Sequence, residues 1–237
     1  GKLWLATDNG ICSFDYEKEV FTRYKKEPYE SDSLVDDNTR CLLKDKSGII
    51  FVGTYRGISI FNPVKSFYHF KARPSYENSL SGNSINGIYK DSNDTLWIGT
   101  SEDGVNIIDG DYIQHLNTSN SNLIGDKIHD ITGKDNRVFI GTNDGLSVVQ
   151  RNSDKSLTIT NYTEENGLPS NKIRSLFVDS KGNLLIGTNK GISILNIETG
   201  ELEDISNMFD KINVSDKFVR AIYEDSKGNY YIGCFLE

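Results

Sequence analysis

The stretch "LWIGTSEDGVNIID", residues 96 to 109, reads as a short strand, a tight turn and a second strand. Near copies stand at "IIFVGTYRGISIFN" (49–62), "VFIGTNDGLSVVQ" (138–150) and "LLIGTNKGISILN" (184–196). Aligned on the Gly-Thr dipeptide, the copies fall at Ala6-Thr7, Gly53-Thr54, Gly99-Thr100, Gly141-Thr142, Gly187-Thr188 and Gly233-Cys234, at spacings of 47, 46, 42, 46 and 46. The chain is therefore a tandem repeat.

A period of this size, with several short β-rich runs per unit and no helical periodicity, is the mark of propeller blades rather than of a helical solenoid. Turn chemistry places four strands per unit. Strand A, such as "KIRSLFVD" (172–179) or "FVRAIYED" (218–225), runs into Asp-x-x-Gly, as at 179–182, 225–228 and 45–48. There Asp bonds the backbone ahead of it and Gly takes the positive φ, so a tight hairpin leads into strand B. Strand B carries a large residue at its second position in every copy: Trp4, Phe51, Trp97, Phe139, Leu185 and Tyr231. Six equivalent mid-strand positions point to packing between neighbouring blades rather than to a stacking platform for a sugar. Strand B then turns through a glycine into strand C.

The outer strand D is read from "FTRY" (21–24), "FYHF" (67–70), "YIQHL" (112–116), "LTITNY" (157–162) and "ELEDI" (201–205). Polar loops, "ESDSLVDDN", "ENSLSGNS", "SNSNLIGD" and "ENGLPSN", follow it and are where a binding surface would vary. The blades are expected at roughly 3–38, 39–83, 84–126, 127–171 and 172–216, with an incomplete blade at 217–237. The expected fold is thus all-β, about five four-stranded blades forming part of a larger propeller. A surplus B strand suggests a piece cut from a longer chain, because stacked repeats need caps or closure.

Composition agrees with that class. The 237 residues include 21 Gly, four Pro and one Met, with an apolar content of 36% and 11% aromatic residues, enough for a buried core. A net charge of -8 with no run of Lys or Arg argues against nucleic acid or an anionic membrane surface as partner. No stretch has the apolar length of a spanning helix, and "GKLWLATDNG" lacks the regions of a signal peptide, so any export signal or anchor is expected outside this segment. Cys12, Cys41 and Cys234 form no CxxC pair and are read as small strand residues, not as metal ligands or a disulfide framework. No cofactor or metal is expected.

The pattern L-x-x-N-x-I-x-x-I-x-x-D-x-x-G-x-L-W-I-G-T-x-x-G-L, followed closely in "SLSGNSINGIYKDSNDTLWIGTSEDGVNIID" (79–109) and "GLPSNKIRSLFVDSKGNLLIGTNKGISILN" (167–196), resembles the two-component regulator propeller repeat. One hairpin, "GKDNRVFIG" (133–141), is shortened and departs from the pattern. The resemblance implies the periplasmic sensor of a hybrid two-component system of Bacteroides-type bacteria, held by an inner-membrane protein. In such sensors tandem seven-bladed propellers and an immunoglobulin-like domain detect glycan fragments, and a kinase follows beyond the membrane. The implied partners are an oligosaccharide, the remaining propeller and immunoglobulin-like domain, and a second copy in a dimer.

Catalytic constellations are missing from the sequence: there is no G-x-S-x-G, H-E-x-x-H, P-loop or Rossmann glycine pattern. His69, His115 and His129 lie in three different units, and the recurring Asp45, Asp91, Asp179 and Asp225 are accounted for by turns. No catalytic residue is assigned. A propeller lyase like the streptogramin-inactivating enzymes would need a convergence of His and Glu that the sequence does not display. A protein-interaction propeller of the WD-repeat kind lacks its Trp-Asp signature.

One position exceeds the needs of packing: Arg40, Asn86, His129, Arg174 and Arg220, near the start of strand A, at spacings of 46, 43, 45 and 46. On innermost strands these five would converge on one mouth of a central channel. Arg presents a planar fork of donors suited to carboxylate or sulfate, and equally to Asp or Glu of a neighbouring blade. They are the candidate ligand-binding residues, an acidic oligosaccharide among the possible ligands, with structural ion pairing as the competing reading.

Overall fold

The computed structural model describes residues 2–27, 33–62, 66–73, 78–211 and 217–235. The first residues of the loops expected at 30–38 and 77–84 lie outside it. Among the described residues, 21 strands form six antiparallel sheets in which every strand lies beside its neighbour in sequence. The chain divides into two compact units, residues 1–115 and 116–237.

The first unit holds a three-stranded sheet, β1 (Lys2–Thr7), β2 (Gly10–Asp15) and β3 (Val20–Tyr24), and two four-stranded sheets. One is β4 (Thr39–Lys44), β5 (Ile50–Thr54), β6 (Gly57–Asn62) and β7 (Ser66–Phe70). The other is β8 (Ile85–Lys90), β9 (Leu96–Thr100), β10 (Val105–Asp109) and β11 (Tyr112–Leu116), whose last residue falls in the second unit. The second unit holds β12 (Ile128–Lys134), β13 (Arg137–Thr142), β14 (Leu146–Arg151) and β15 (Leu157–Tyr162), then β16 (Ile173–Val178), β17 (Asn183–Thr188), β18 (Ile192–Asn196) and β19 (Leu202–Asp204), and the two-stranded β20 (Val219–Glu224) and β21 (Tyr230–Cys234).

Two short helical segments break the all-β pattern: a 3-10 turn at Glu164–Asn166 and α1 (Asn207–Lys211). The turn is held by a capping box between Thr163 and Asn166. In α1, Phe209 inserts among Leu185, Ile192 and Val219 and is 2% exposed. Five residues carry no helical periodicity, which is why the sequence does not announce this element.

The Gly-Thr signature follows from how sheets stack. A Cβ on Gly141 would stand 2.6 Å from Ile173 Cγ2, and one on Gly187 would stand 2.6 Å from Val219 Cγ1. The glycine is the place where a β-branched residue of the next sheet lies against the backbone. The threonine closes the turn that follows: Thr54, Thr142 and Thr188 Oγ1 donate to the carbonyls of Gly57, Gly145 and Gly191 at 2.8, 2.9 and 3.0 Å. Those hydroxyls also accept the backbone N–H two residues on, from Arg56, Asp144 and Lys190. The motif is thus a packing contact joined to a turn lock.

The recurring aspartates are turn caps. Oδ1 of Asp45, Asp91, Asp179 and Asp225 accepts the backbone N–H of the second and fourth residues ahead, at 2.7 to 3.0 Å. In the shortened hairpin the cap is missing because only Asp135 and Asn136 join β12 to β13, and Asp135 takes a φ of 55° instead.

The core lies between successive sheets. Phe51 and Ile58 meet Ile85, Ile88 and Ile98 in the first unit, and Phe139 and Leu146 meet Ile173, Leu176 and Ile186 in the second. The large residue of strand B is buried against the following sheet at Phe51, Phe139 and Leu185, Trp4 is half-buried against Ile50 and Val52 of the second sheet, and Trp97 is fully buried. Tyr231 departs from that expectation at 58% exposed, since β21 pairs only with β20 among the described residues. The cysteines are not joined in a disulfide; Cys12 is buried and Cys41 and Cys234 are half-buried.

The loops are pinned to strand C from below. Val35 N–H donates to Ser59 Oγ at 3.0 Å, Ser81 N–H to Asn106 Oδ1 at 2.8 Å and Ile124 N–H to Ser147 Oγ at 3.1 Å. The next copy has Pro169 at the donor position, following Leu168 as Val35 follows Leu34. Proline has no N–H, and the hydroxyl of Ser193, fully buried, makes no hydrogen bond.

Candidate functional site

Arg40, Asn86, His129, Arg174 and Arg220 share one backbone feature. In the five A strands the pairing register slips between Thr39 and Cys41, Ile85 and Gly87, Ile128 and Asp130, Ile173 and Ser175, and Val219 and Ala221. Each candidate is the extra residue of a β-bulge, left out of the ladder. A bulge re-aims the side chain it carries, so five repeats turn one side chain apiece away from the sheet's ordinary alternation.

In the first unit Arg40 is exposed, with Cζ 4.0 Å from the centroid of the Tyr55 ring, and Asn86 is half-buried. In the second unit the structure brings three of the candidates together. Arg174 Nη1 stands 2.6 Å from His129 Nε2 and 3.4 Å from Asn143 Oδ1, and Asn143 Oδ1 is itself 2.8 Å from His129 Nε2. Arg174 and Arg220 both lie over Phe218, with Cζ 5.5 and 4.8 Å from the ring centroid, and Arg220 also lies 5.5 Å from the centroid of Phe235.

The electrostatics of this group are one-sided. Among the described residues, no carboxylate lies within ion-pairing distance of Arg174, Arg220 or His129. Elsewhere the partly buried Lys90 is paired with both Asp45 and Asp94. Burial, and then the charge of Arg220, pull the proton affinity of Arg174 below its ordinary value. Burial lowers that of His129 too; the Asn143 contact opposes the shift, and Arg174, Lys127 and Arg220 add to it. Arg174 Nε is buried without a hydrogen-bond partner. Nε2 of His129 can donate to Asn143 or accept from Arg174, not both at once, because a guanidinium only donates.

Of the candidate set the sequence missed Asn143, Phe218 and Phe235. Asn143 follows Gly-Thr directly, as Asn189 does in the next copy, where the amide oxygen is buried and unpartnered. The two phenylalanines flank β20 and β21 and look like any strand-end aromatics. A separate concavity in the second unit, lined by Arg137, Phe139, Tyr162 and Ile197 among others, holds no such group, since the Arg137 guanidinium donates to the Ile197 carbonyl.

The two component regulator propeller model matches residues 79–102, 167–190 and 213–235, so the resemblance read in the repeat holds at three of its copies. Among solved structures, the extracellular domain described as that of hybrid two component system BT3049 of B. thetaiotaomicron is 24% identical, with a TM-score of 0.82 over 99% of this chain and 31% of its own. That of BT4673 from the same organism is 19% identical, with a TM-score of 0.67 over 99% of this chain and 39% of its own. Virginiamycin B lyase from Staphylococcus aureus is 16% identical, with a TM-score of 0.71 over 98% of this chain and 73% of its own. The likeness to all three is one of fold, and the four-stranded sheets are propeller blades. The chain spans about a third of the length of the first of these structures. Among curated proteins none matches.

Proposed function

We propose that these two component regulator propeller repeats form a ligand-sensing segment of an extracytoplasmic sensor in a hybrid two-component system, reading an oligosaccharide and relaying its presence across a membrane. The observation that carries the reading is the bulge: each of five copies, three of them matched by the two component regulator propeller model, turns one polar or cationic side chain out of the ladder. Binding without bond breaking fits the same residues, because His129 faces two guanidiniums and an amide and lacks the carboxylate that acid–base work would need among the described residues.

In this reading the parent protein is periplasmic in its sensing part and anchored in the inner membrane. The remaining propeller and an immunoglobulin-like domain complete the sensor, which acts as a homodimer. Ligand that binds one arrangement of the two halves better than the other shifts the equilibrium toward it, and that shift is the signal. Calorimetric titration of this chain, and of the parent's extracytoplasmic region, against neutral and acidic oligosaccharides tests it. Saturable binding by either supports the reading; no binding by both removes oligosaccharide sensing.

A further inference from the structure

We infer that Arg174 and Arg220, with His129 beside them, form an anion subsite that takes one carboxylate or sulfate group of an acidic saccharide. The inference rests on the sensing reading above and adds the chemical class of the ligand.

Three observations meet here. First, positive charge is concentrated: two guanidiniums share the Phe218 ring, Lys127 adds its field at His129, and no described carboxylate pairs with either Arg. In a chain of net charge -8, with 34 acidic residues available, that is the reverse of what structural ion pairing would produce. The charge of Arg220 already acts on Arg174, so the like charges raise the energy of the empty site and an anion bound there lowers it.

Second, hydrogen-bonding capacity is held in reserve. Arg174 Nε is buried and unpartnered, and its Nη1 is directed at a ring nitrogen that Asn143 also claims. A carboxylate or sulfate oxygen accepting from Arg174 Nη1 would free His129 Nε2 for Asn143. Oxyanions match the guanidinium fork, whereas a neutral hydroxyl answers one donor at a time.

Third, the backbone presents these groups. Arg174 and Arg220 are bulge residues of adjacent strands, β16 and β20, which pack on one another. The Phe218 and Phe235 rings hold the guanidiniums from the side, so their donors need not be ordered from scratch on binding.

The test is calorimetry on the full chain with a disaccharide containing glucuronic acid, its carboxyl-reduced neutral counterpart, a sulfated disaccharide and inorganic sulfate. Arg174→Gln and Arg220→Gln are compared with Lys227→Gln as an exposed control, with circular dichroism to check folding. NMR titration of His129 in sulfate and in chloride at equal ionic strength follows the site directly. Expected are binding of an acidic disaccharide about 10- to 100-fold tighter than the neutral one, a comparable loss in each Arg variant but not in the control, and a His129 midpoint raised by sulfate. Equal binding of the neutral counterpart, unaffected by Arg174→Gln, overturns the anion subsite and leaves the sensing reading standing. Binding of free sulfate with none of the saccharides overturns the saccharide assignment. No binding of any probe, with the His129 midpoint unmoved by sulfate, overturns the subsite and counts against sensing by this segment.

Discussion

Arg174 Nη1 stands 2.6 Å from His129 Nε2, a contact between the bulges of β16 and β12. It ties the protonation of one blade's side chain to the charge of the next.

His129 therefore titrates below its ordinary 6.5, held down by burial and by the charges of Arg174, Lys127 and Arg220 against the Asn143 contact. Since the folded state binds this proton less readily than the unfolded chain, the group costs stability as pH falls below about 6.5. Arg174→Gln removes one of the charges and moves the midpoint upward. Imidazole chemical shifts followed across pH in both proteins measure it; an unmoved midpoint would mean that the Arg174 charge does not act on the imidazole.

The next residue titrates the other way. Asp130 accepts the Leu176 N–H at 2.8 Å and the Ile131 N–H at 2.9 Å, yet burial outweighs both bonds and pushes its carboxyl up to about 6. The folded state holds this proton more tightly than the unfolded chain, so stability declines as pH rises from about 4 to about 6, by up to about 3 kcal/mol. Asp130→Asn keeps an acceptor for Leu176 and removes the titration. Denaturation midpoints at pH 4, 5, 6 and 7 should lose that downward component in the variant.

Two buried serines at equivalent places should respond differently. Ser147→Ala strands the Ile124 N–H and the Asn161 amide, at a cost of about 1–3 kcal/mol. Ser193→Ala removes a hydroxyl that bonds to nothing, and should lie within about 0.5 kcal/mol of the parent or above it. Urea unfolding of both variants decides the matter; equal losses would sink the explanation through Pro169.

At Gly187, alanine places a Cβ against Ser175 Oγ and Val219 Cγ1 and should cost about 1–3 kcal/mol through overpacking. Trimming Val219→Ala in the same chain opens the space on the Val219 side, so the double variant should be less destabilised than the two singles added together. Strict additivity in a double-mutant cycle would show that the contact does not set the glycine.

Much of this was legible in the chain. Strands B, C and D announce themselves through Gly-Thr, a turn glycine and alternating residues, and the shortened "GKDNRVFIG" hairpin is a two-residue connection, as its missing glycine foretells. The spacing of Arg40, Asn86, His129, Arg174 and Arg220 singled those residues out, but the reason for it was hidden. A bulge is a change of partner, not of composition, so nothing in the letters marks it. Structural ion pairing, the competing reading for these arginines, would have required acidic neighbours, and the described residues set aromatic rings there instead. Phe218 and Asn143 escaped notice because their importance comes from the neighbouring blade.

The bulges also bear on how such a protein changes over generations. A residue that sits between two paired neighbours without being paired itself can be exchanged with little demand on the sheet around it, and the five copies already hold Arg, Asn and His there. On the sensing function proposed for these repeats, recognition and foldability would be written in separate letters of each one. A library randomised only at residues 40, 86, 129, 174 and 220 tests whether specificity can change there while the sheets stay folded.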